Sequence, residues 1–337
     1  MKKNIVHLVW HYPVVCQTPK EDFFKICRDA VGGDIVSVKG AGVFSVLKRI
    51  WGKEVHAQGR GFPFPEMASL FSKKSIYTPH SNTIGSSKFT RFVRRFIINR
   101  YDRIVCQTEY GRKTFIAQGI RKEKITVIPS AVDFGFFSKA KGGGTFRKKH
   151  GLGRKPFALC IGIRPVKNPL TIAKACEKAG VKAVMVGPYT NKQVDSTWKD
   201  PGFDWYLPPA ELKGMKNVEL VGQLSPEELL SALDAATVFV HSSDYESFGL
   251  VVYEAAAAGL PLCLPDFETF DCFRGCALFH KPKDAGQLAE NIKKYISDPR
   301  LRKSNGRMAQ QVAENVDYPH VRRMYSEFYK SWLPDHE

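Results

Sequence analysis

The amino-acid sequence predicts an α/β protein built from two doubly wound, parallel-sheet domains. Three observations carry that expectation. The first is length, since 337 residues suffice for about two domains at roughly 150 residues each. The second is rhythm. Short apolar runs alternate with helical segments at 5–10, 34–38, 75–78, 103–107 and 125–128, and the pattern restarts after Gly151 at 158–163, 183–186, 218–221, 238–241 and 261–264. Continuous β-branched runs indicate strands covered on both faces, and strand–helix alternation indicates parallel pairing. The third is charge. Residues 1–150 hold 28 Lys/Arg against 10 Asp/Glu, residues 151–337 hold 23 of each, and the whole formal net charge of +18 lies in the first half.

The expected division is therefore 1–145 and 151–317, joined by a basic, glycine-rich linker at 138–151 that begins SKAKGGGTFRKKH. The segment 318–333 reads as a helix with one apolar stripe at Tyr325, Phe328, Tyr329 and Trp332, spaced to dock back on the first domain.

Composition removes several function classes. A hydrophobic fraction of 43% and a charged fraction of 25% are ordinary for a globular chain and exclude a disordered tail, a fibrous repeat and a disulfide miniprotein. The eight cysteines form no C-x2-C pair. Cys272 and Cys276 alone have spacing worth testing for metal, and with no second ligand pair nearby they do not read as a zinc site. Reduced thiols fit a cytoplasmic compartment. The longest apolar run, 250–265, contains Glu254 and falls short of a membrane span. Lys2 and Lys3 precede an apolar stretch interrupted by His7, His11 and Tyr12, which reads as a first strand rather than a signal peptide. The expected location is cytoplasmic, with any membrane contact peripheral at the inner face.

The passage VFVHSSDYESFGLVVYEAAAAGLP, 238–261, carries most of the chemistry. A buried strand ends in a polar turn, and a helix begins near Phe248 and Gly249 and stops at Gly259, with Pro261 beyond. Glu246 and Glu254 form an E-x7-E pair. The first N–H groups, near Phe248, Gly249 and Leu250, together with the positive end of the helix dipole make an anion site, and Gly249 permits close approach to the backbone. Taken alone, Glu246 reads as a dipole-complementing acid and Glu254 as a surface residue.

In context, ESFGLVVYEAAAAGLP resembles the E-x7-E signature of the retaining GT-B glycosyltransferases of family 4. NVELVGQLSPEELLSALDAATVFVHSS resembles their strand–helix–strand lead-in, and LCIGIRPVKNPLTIAKACEKAGVKAVMVG their basic diphosphate clamp. KITVIPSAVDFGFF and RIVCQTEYGRKTF resemble the closing segments of their first domain. The resemblance covers residues 75–333 and implies a GT-B fold, two Rossmann-like domains facing each other across a cleft with a C-terminal helix crossing back to the first. It implies that Arg164 and Lys167 neutralise a nucleotide diphosphate, and that Glu246 bonds hydroxyls of the transferred sugar while Glu254 holds the ribose. The backbone of Phe248, Gly249 and Leu250 would cradle the distal phosphate. His80, in TPHSN, matches the active-site histidine, and Val221 and Ser225 fall in the loop that faces the base.

Three departures accompany the resemblance. Arg164 and Lys167 are three residues apart rather than about five. WHYPVVCQTPKEDFF stands where the first domain's glycine pair is expected, and PDFETFDCF stands where GG-x-x-E is expected, leaving Asp266 or Glu268 to take part of that role. No D-x-D occurs. The implied reaction is therefore metal-independent transfer of a hexose-type sugar from a nucleotide-sugar donor, with retention of anomeric configuration and no cofactor.

On the acceptor side, KFTRFVRRFIINR places Phe89, Phe92, Val93, Phe96 and Ile97 on one helical stripe beside Lys88, Arg91, Arg94 and Arg95, and GVFSVLKRIWGK forms a second basic stretch. Each stripe either faces the sheet or lies in a membrane interface. The positive field of the first half points to a lipid-linked, polysaccharide or other anionic acceptor and an anionic membrane surface. Two other readings compete. A nucleic-acid-binding protein would suit the charge, but no recognition motif supports it. A sugar-nucleotide 2-epimerase of the same architecture lacks a reason for the complete E-x7-E helix.

Overall fold

The computed structural model describes residues 5–9, 23–59, 66–81, 88–189 and 210–333. The chain divides into two compact units, Met1–Val132 with Val316–Glu337, and Asp133–Asn315. Each contains one six-stranded sheet whose described pairings are all parallel.

In the first unit the strands are β1 (Ile5–Val9), β2 (Asp34–Ser37), β3 (Glu54–Gln58), β4 (Lys74–Thr78), β5 (Arg103–Cys106) and β6 (Ile125–Val127), in the order β2-β1-β3-β4-β5-β6. Helices α1 (Phe23–Val31), α2 (Val43–Ile50), α3 (Lys88–Ile98) and α4 (Glu109–Ala117) connect them. Val46 and Ile50 of α2, Ile98 of α3 and Phe115 of α4 share one buried cluster with the strands, so these three helices cover the same face of the sheet.

Strand β3 was not expected from its sequence. EVHAQ carries three polar side chains, yet His56 and Gln58 are fully buried. The His56 ring is bonded at both nitrogens, Nδ1 2.6 Å from the Tyr329 hydroxyl and Nε2 2.8 Å from Thr78 Oγ1, which offsets the cost of burying it. Tyr329 belongs to the last helix, numbered below α12 (Tyr318–Trp332), whose stripe Tyr325, Phe328, Tyr329 and Trp332 is buried. This helix packs on α1 within the first unit.

The second unit opens with α5 (Phe134–Phe137) and α6 (Gly143–Lys149), and its strands are β7 (Phe157–Ile161), β8 (Lys182–Val186), β9 (Val218–Gly222), β10 (Val238–Val240), β11 (Leu262–Pro265) and β12 (Ala277–His280). Their order is β12-β11-β10-β7-β8-β9. Helices α7 (Pro169–Ala179), α8 (Pro226–Ala235), α9 (Leu250–Ala257), α10 (Ala285–Ser297) and α11 (Pro299–Glu314) complete it. The short strand β12 was also missed, because ALFH is half-buried along most of its length at the edge of the sheet and shows no clear pattern.

The expected linker at 138–151 is corrected by the fold. The division falls at Val132/Asp133 on the way out and Asn315/Val316 on the way back, where Val132 bridges to Asp317. Within 138–151, Gly143–Lys149 is helix α6 packed on α8. Its glycine serves close packing rather than flexibility. A Cβ on Gly143 would lie 2.8 Å from the Ala235 backbone nitrogen, and the Gly143 N–H donates to Asp234 Oδ2 at 2.8 Å.

A second close approach gives a stability prediction. A Cβ on Gly306, inside α11, would lie 2.2 Å from the Gly259 carbonyl oxygen. Helix propensity favours Ala over Gly by about 1 kcal/mol, whereas overpacking costs roughly 1–3 kcal/mol. With a backbone oxygen as the obstacle the contact wins, and Gly306→Ala is expected to lower the unfolding free energy in a denaturant titration. A rise would contradict the packing.

Candidate functional site

In the second sheet the chain runs outward from β7 through β8 to β9, then returns to the far side of β7 with β10. The carboxyl ends of β7 and β10 therefore form the topological switch point, where doubly wound sheets bind ligands. Gly162 leaves β7 at φ +87°, Arg164 follows half-buried, and a short 3-10 turn, Pro165–Lys167, carries the lysine. Asn168 takes a left-handed conformation at φ 49°, which asparagine tolerates better than most residues. Its Nδ2 donates to the Ser242 carbonyl at 2.9 Å and to Asp244 Oδ1 at 2.7 Å, and the Asp244 N–H donates to the Val166 carbonyl at 2.8 Å. These bonds lace the loop after β7 to the loop after β10.

The lacing brings Lys167 to Glu246. Lys167 Nζ donates to Glu246 Oε2 at 2.5 Å, with 14% of each side chain exposed. The shortened spacing from Arg164 does not keep Lys167 from this carboxylate. His241 Nε2 lies 3.2 Å from the same oxygen and 2.9 Å from Ser243 Oγ. Burial pushes the Glu246 carboxyl up, but the hydrogen bond from His241 and the Lys167 ammonium more than reverse this and hold it at about 2. Burial lowers His241 in spite of the carboxylate beside it, so its imidazole is neutral at pH 7.

Helix α9 begins at Leu250, one residue later than Gly249, which caps it at φ 88°. A Cβ at Gly249 would lie 2.7 Å from the Phe270 ring, so glycine is required both by conformation and by space. Phe248 is buried and its ring stacks on Tyr253 with centroids 4.3 Å apart, so its side chain serves the core. The helix presents the N–H groups of its first turn at the switch point. Glu254, on α9, is buried, 2% exposed, rather than a surface residue.

Other expected residues fare differently. The Ser225 hydroxyl accepts from the Glu228 N–H at 3.2 Å and the Ser225 N–H donates to Glu228 Oε2 at 3.0 Å, a capping box for α8. Val221 is half-buried in β9. Asp266 pairs with Arg274 at 2.7 Å and Glu268 is exposed; the same loop instead sends Thr269 Oγ1 to the Glu246 carbonyl at 3.1 Å. Cys276 is buried and Cys272 exposed, and among the described residues no group of His, Cys, Asp and Glu is arranged to hold a metal ion. Sequence reasoning missed His241, Ser243, Asn168 and Thr269 as parts of the site. The signal for His241 was its place at the end of a buried strand five residues before Glu246.

In the first unit the switch point lies between β1 and β3, and there Gln58 is fully buried with neither amide atom hydrogen-bonded among the described residues. His80 follows β4 at φ 50°. Its Nδ1 lies 3.2 Å from Gln107 Nε2, its ring packs 4.3 Å from Phe23, and burial lowers it to about 4. On α3, Arg94 pairs with the buried Glu66 at 2.9 Å, while Lys88, Arg91 and Arg95 are exposed.

The family model described as "Glycosyl transferases group 1" matches residues 144–312, and that described as "Glycosyltransferase Family 4" matches residues 47–136. The glycogen synthase of Mycobacterium tuberculosis is 30% identical over 135 residues, 37% of this chain and 32% of that protein. The chain thus spans about a third of that relative's length. The alpha-galactosylglucosyldiacylglycerol synthase of Streptococcus pneumoniae is 22% identical over 286 residues, 79% of this chain and 75% of that protein. The crystal structure of Anabaena HepE in complex with UDP is similar at a TM-score of 0.74 and 16% identity, covering 97% of this chain and 100% of that one. This last likeness shows the fold, GT-B, whose two parallel-sheet units are each found here.

The ion pair itself is testable. Lys167→Met would leave a buried carboxylate unpaired and is expected to destabilise the fold by roughly 3–5 kcal/mol at pH 7, with much of the loss recovered in Lys167→Met/Glu246→Leu. Because the Glu246 carboxyl is held below its ordinary 4.5, at about 2, the wild-type advantage is present above 4.5 and disappears as pH falls towards 2. Equal stability of wild type and the single variant at pH 7 would contradict the pairing.

Proposed function

The chain belongs to the group 1 glycosyl transferases, and from that premise we propose that it moves a hexose-type sugar from a nucleotide-diphosphate donor to a lipid-linked, polysaccharide or other anionic acceptor. The transfer proceeds with retention of anomeric configuration and without a metal ion. One observation carries this reading: Lys167 and Glu246 meet at 2.5 Å beside the amino end of α9, at the switch point of the second sheet.

The chemistry follows from what each group can hold. An ammonium has three donors and a carboxylate about four acceptor positions, so their mutual bond leaves capacity on both. Lys167, with Arg164, neutralises charge growing on the departing diphosphate, and the first N–H groups of α9, at Leu250 and Val251 beside the Gly249 cap, add fixed dipoles. Glu246 stays ionised at neutral pH and accepts from sugar hydroxyls. Glu254, buried further along α9, takes the ribose. No covalent nucleophile is assigned among the described residues; the acceptor attacks the face from which the diphosphate leaves, with a diphosphate oxygen taking its proton. His80, neutral at pH 7, serves as a hydrogen-bonding group, and Gln58 offers an amide to a polar acceptor group. The name of the Streptococcus pneumoniae relative supports a lipid-linked acceptor, and that of the HepE complex supports a nucleoside diphosphate in the donor site.

A screen of common sugar nucleotides for slow hydrolysis, followed by NMR of the transferred product, tests the reading. The expected product keeps the donor's anomeric configuration and forms equally well in a chelator. Glu246→Gln is expected to lower turnover at least about 100-fold while nucleoside diphosphate binding stays within a few-fold. Inversion at the anomeric carbon, or an unchanged rate in the variant, would remove the assignment.

A further inference from the structure

The outer faces of α2 and α3 hold the most exposed large apolar side chains among the described residues. On α3, Phe89, Phe92 and Phe96 are 76%, 64% and 64% exposed, and at α2 Phe44 and Trp51 are 87% and 68% exposed. The fold accounts for the inner faces of both helices, because Val46, Ile50 and Ile98 sit in one core cluster. The outer faces consequently look away from the same side of the first sheet. The apolar stripe of α3 thus splits: Ile97 is buried, as is its neighbour Ile98, and the three phenylalanines are not.

Charge says what covers such a surface. Lys88, Arg91 and Arg95 are exposed on α3 and Lys48 and Arg49 on α2, and neither helix contains an acidic residue. The Arg95 guanidinium lies 5.8 Å from the Phe92 ring. A convex helix with aromatic rings at i, i+3 and i+7 and cations beside them is the pattern of a helix lying in a lipid interface. Single-stranded nucleic acid is met by aromatics set along a basic groove. Exposed large apolar side chains grouped along a helix in this way mark an interaction site.

We propose that the α2–α3 face seats the first unit on an anionic bilayer, with Phe44, Trp51, Phe89, Phe92 and Phe96 entering the interface and Lys88, Arg91 and Arg95 resting on lipid phosphates. This rests on the reading of a lipid-linked acceptor above and names the surface that brings the enzyme to it. Arg94 plays no part in it, being held by Glu66.

Co-sedimentation of the full chain with phosphatidylcholine vesicles, with and without phosphatidylglycerol, tests the surface. Binding is expected only with the anionic lipid and to weaken several-fold as salt rises from about 0.05 to 0.5 M. Phe89→Ser/Phe92→Ser/Phe96→Ser is expected to lower the bound fraction about tenfold at an unchanged melting temperature. In a conservative second variant, Phe92→Trp, the added tryptophan emission is expected to shift to the blue on anionic vesicles. Binding indifferent to lipid charge, a triple variant that binds like wild type, or stronger binding to an oligonucleotide at matched salt would each overturn the proposal. The assay uses no sugar donor. Donor turnover without vesicle binding therefore removes this surface alone, and vesicle binding without turnover removes the transferase reading alone.

Discussion

The second unit is organised around one ionic contact, Lys167 with Glu246. A carboxyl this deeply shielded would ordinarily take up a proton. With the Lys167 Nζ at 2.5 Å and His241 at 3.2 Å from the same oxygen it remains an anion, and the lysine side chain is held in one place. Two opposite charges are thereby fixed side by side where β7 and β10 end. A cation and a carboxylate so placed offer donors to anionic groups on one side and acceptors to hydroxyls on the other. The pair is preorganised, so little reorganisation is required when charge moves.

Backbone conformation keeps the contact in place. Asn168 and Gly249 both lie in the left-handed region, one ending the turn that carries Lys167 and the other capping the helix after Glu246. Glycine takes that conformation without steric cost, whereas a non-glycine residue such as Asn168 persists there only where its surroundings hold it. Asn168 is held by two hydrogen bonds to the neighbouring loop, and Gly249 is closed in by Phe270, whose neighbour Thr269 bonds the Glu246 backbone. In the first unit His80 shares this conformation, and its imidazole is likewise shielded and neutral at pH 7.

The sequence made most of this legible where pattern and chemistry coincide. Ten strands announced themselves as apolar runs, and the E-x7-E helix was located to within two residues of its start. What stayed hidden depended on partners distant in sequence. EVHAQ reads as polar until Tyr329 and Thr78 are seen to satisfy His56. Three glycines read as a hinge until Gly143 is seen against Ala235. Ser225 was legible as part of a loop after β9, but its reciprocal bonds with Glu228 that cap α8 were not. Lys167 and Arg164 were legible as cations, but that Lys167 would pair with Glu246 was not, because the pairing is created by the β7–β10 switch. The split stripe of α3 could not be resolved by periodicity, which marks an apolar face without saying what meets it.

A crystal of the chain grown with a nucleoside diphosphate tests the central claim most directly. The account predicts the distal phosphate within hydrogen-bonding distance of the Leu250 and Val251 N–H groups, with Lys167 bonding both that phosphate and Glu246. A diphosphate bound elsewhere, or the Lys167–Glu246 contact broken while the phosphate lies away from α9, would contradict it.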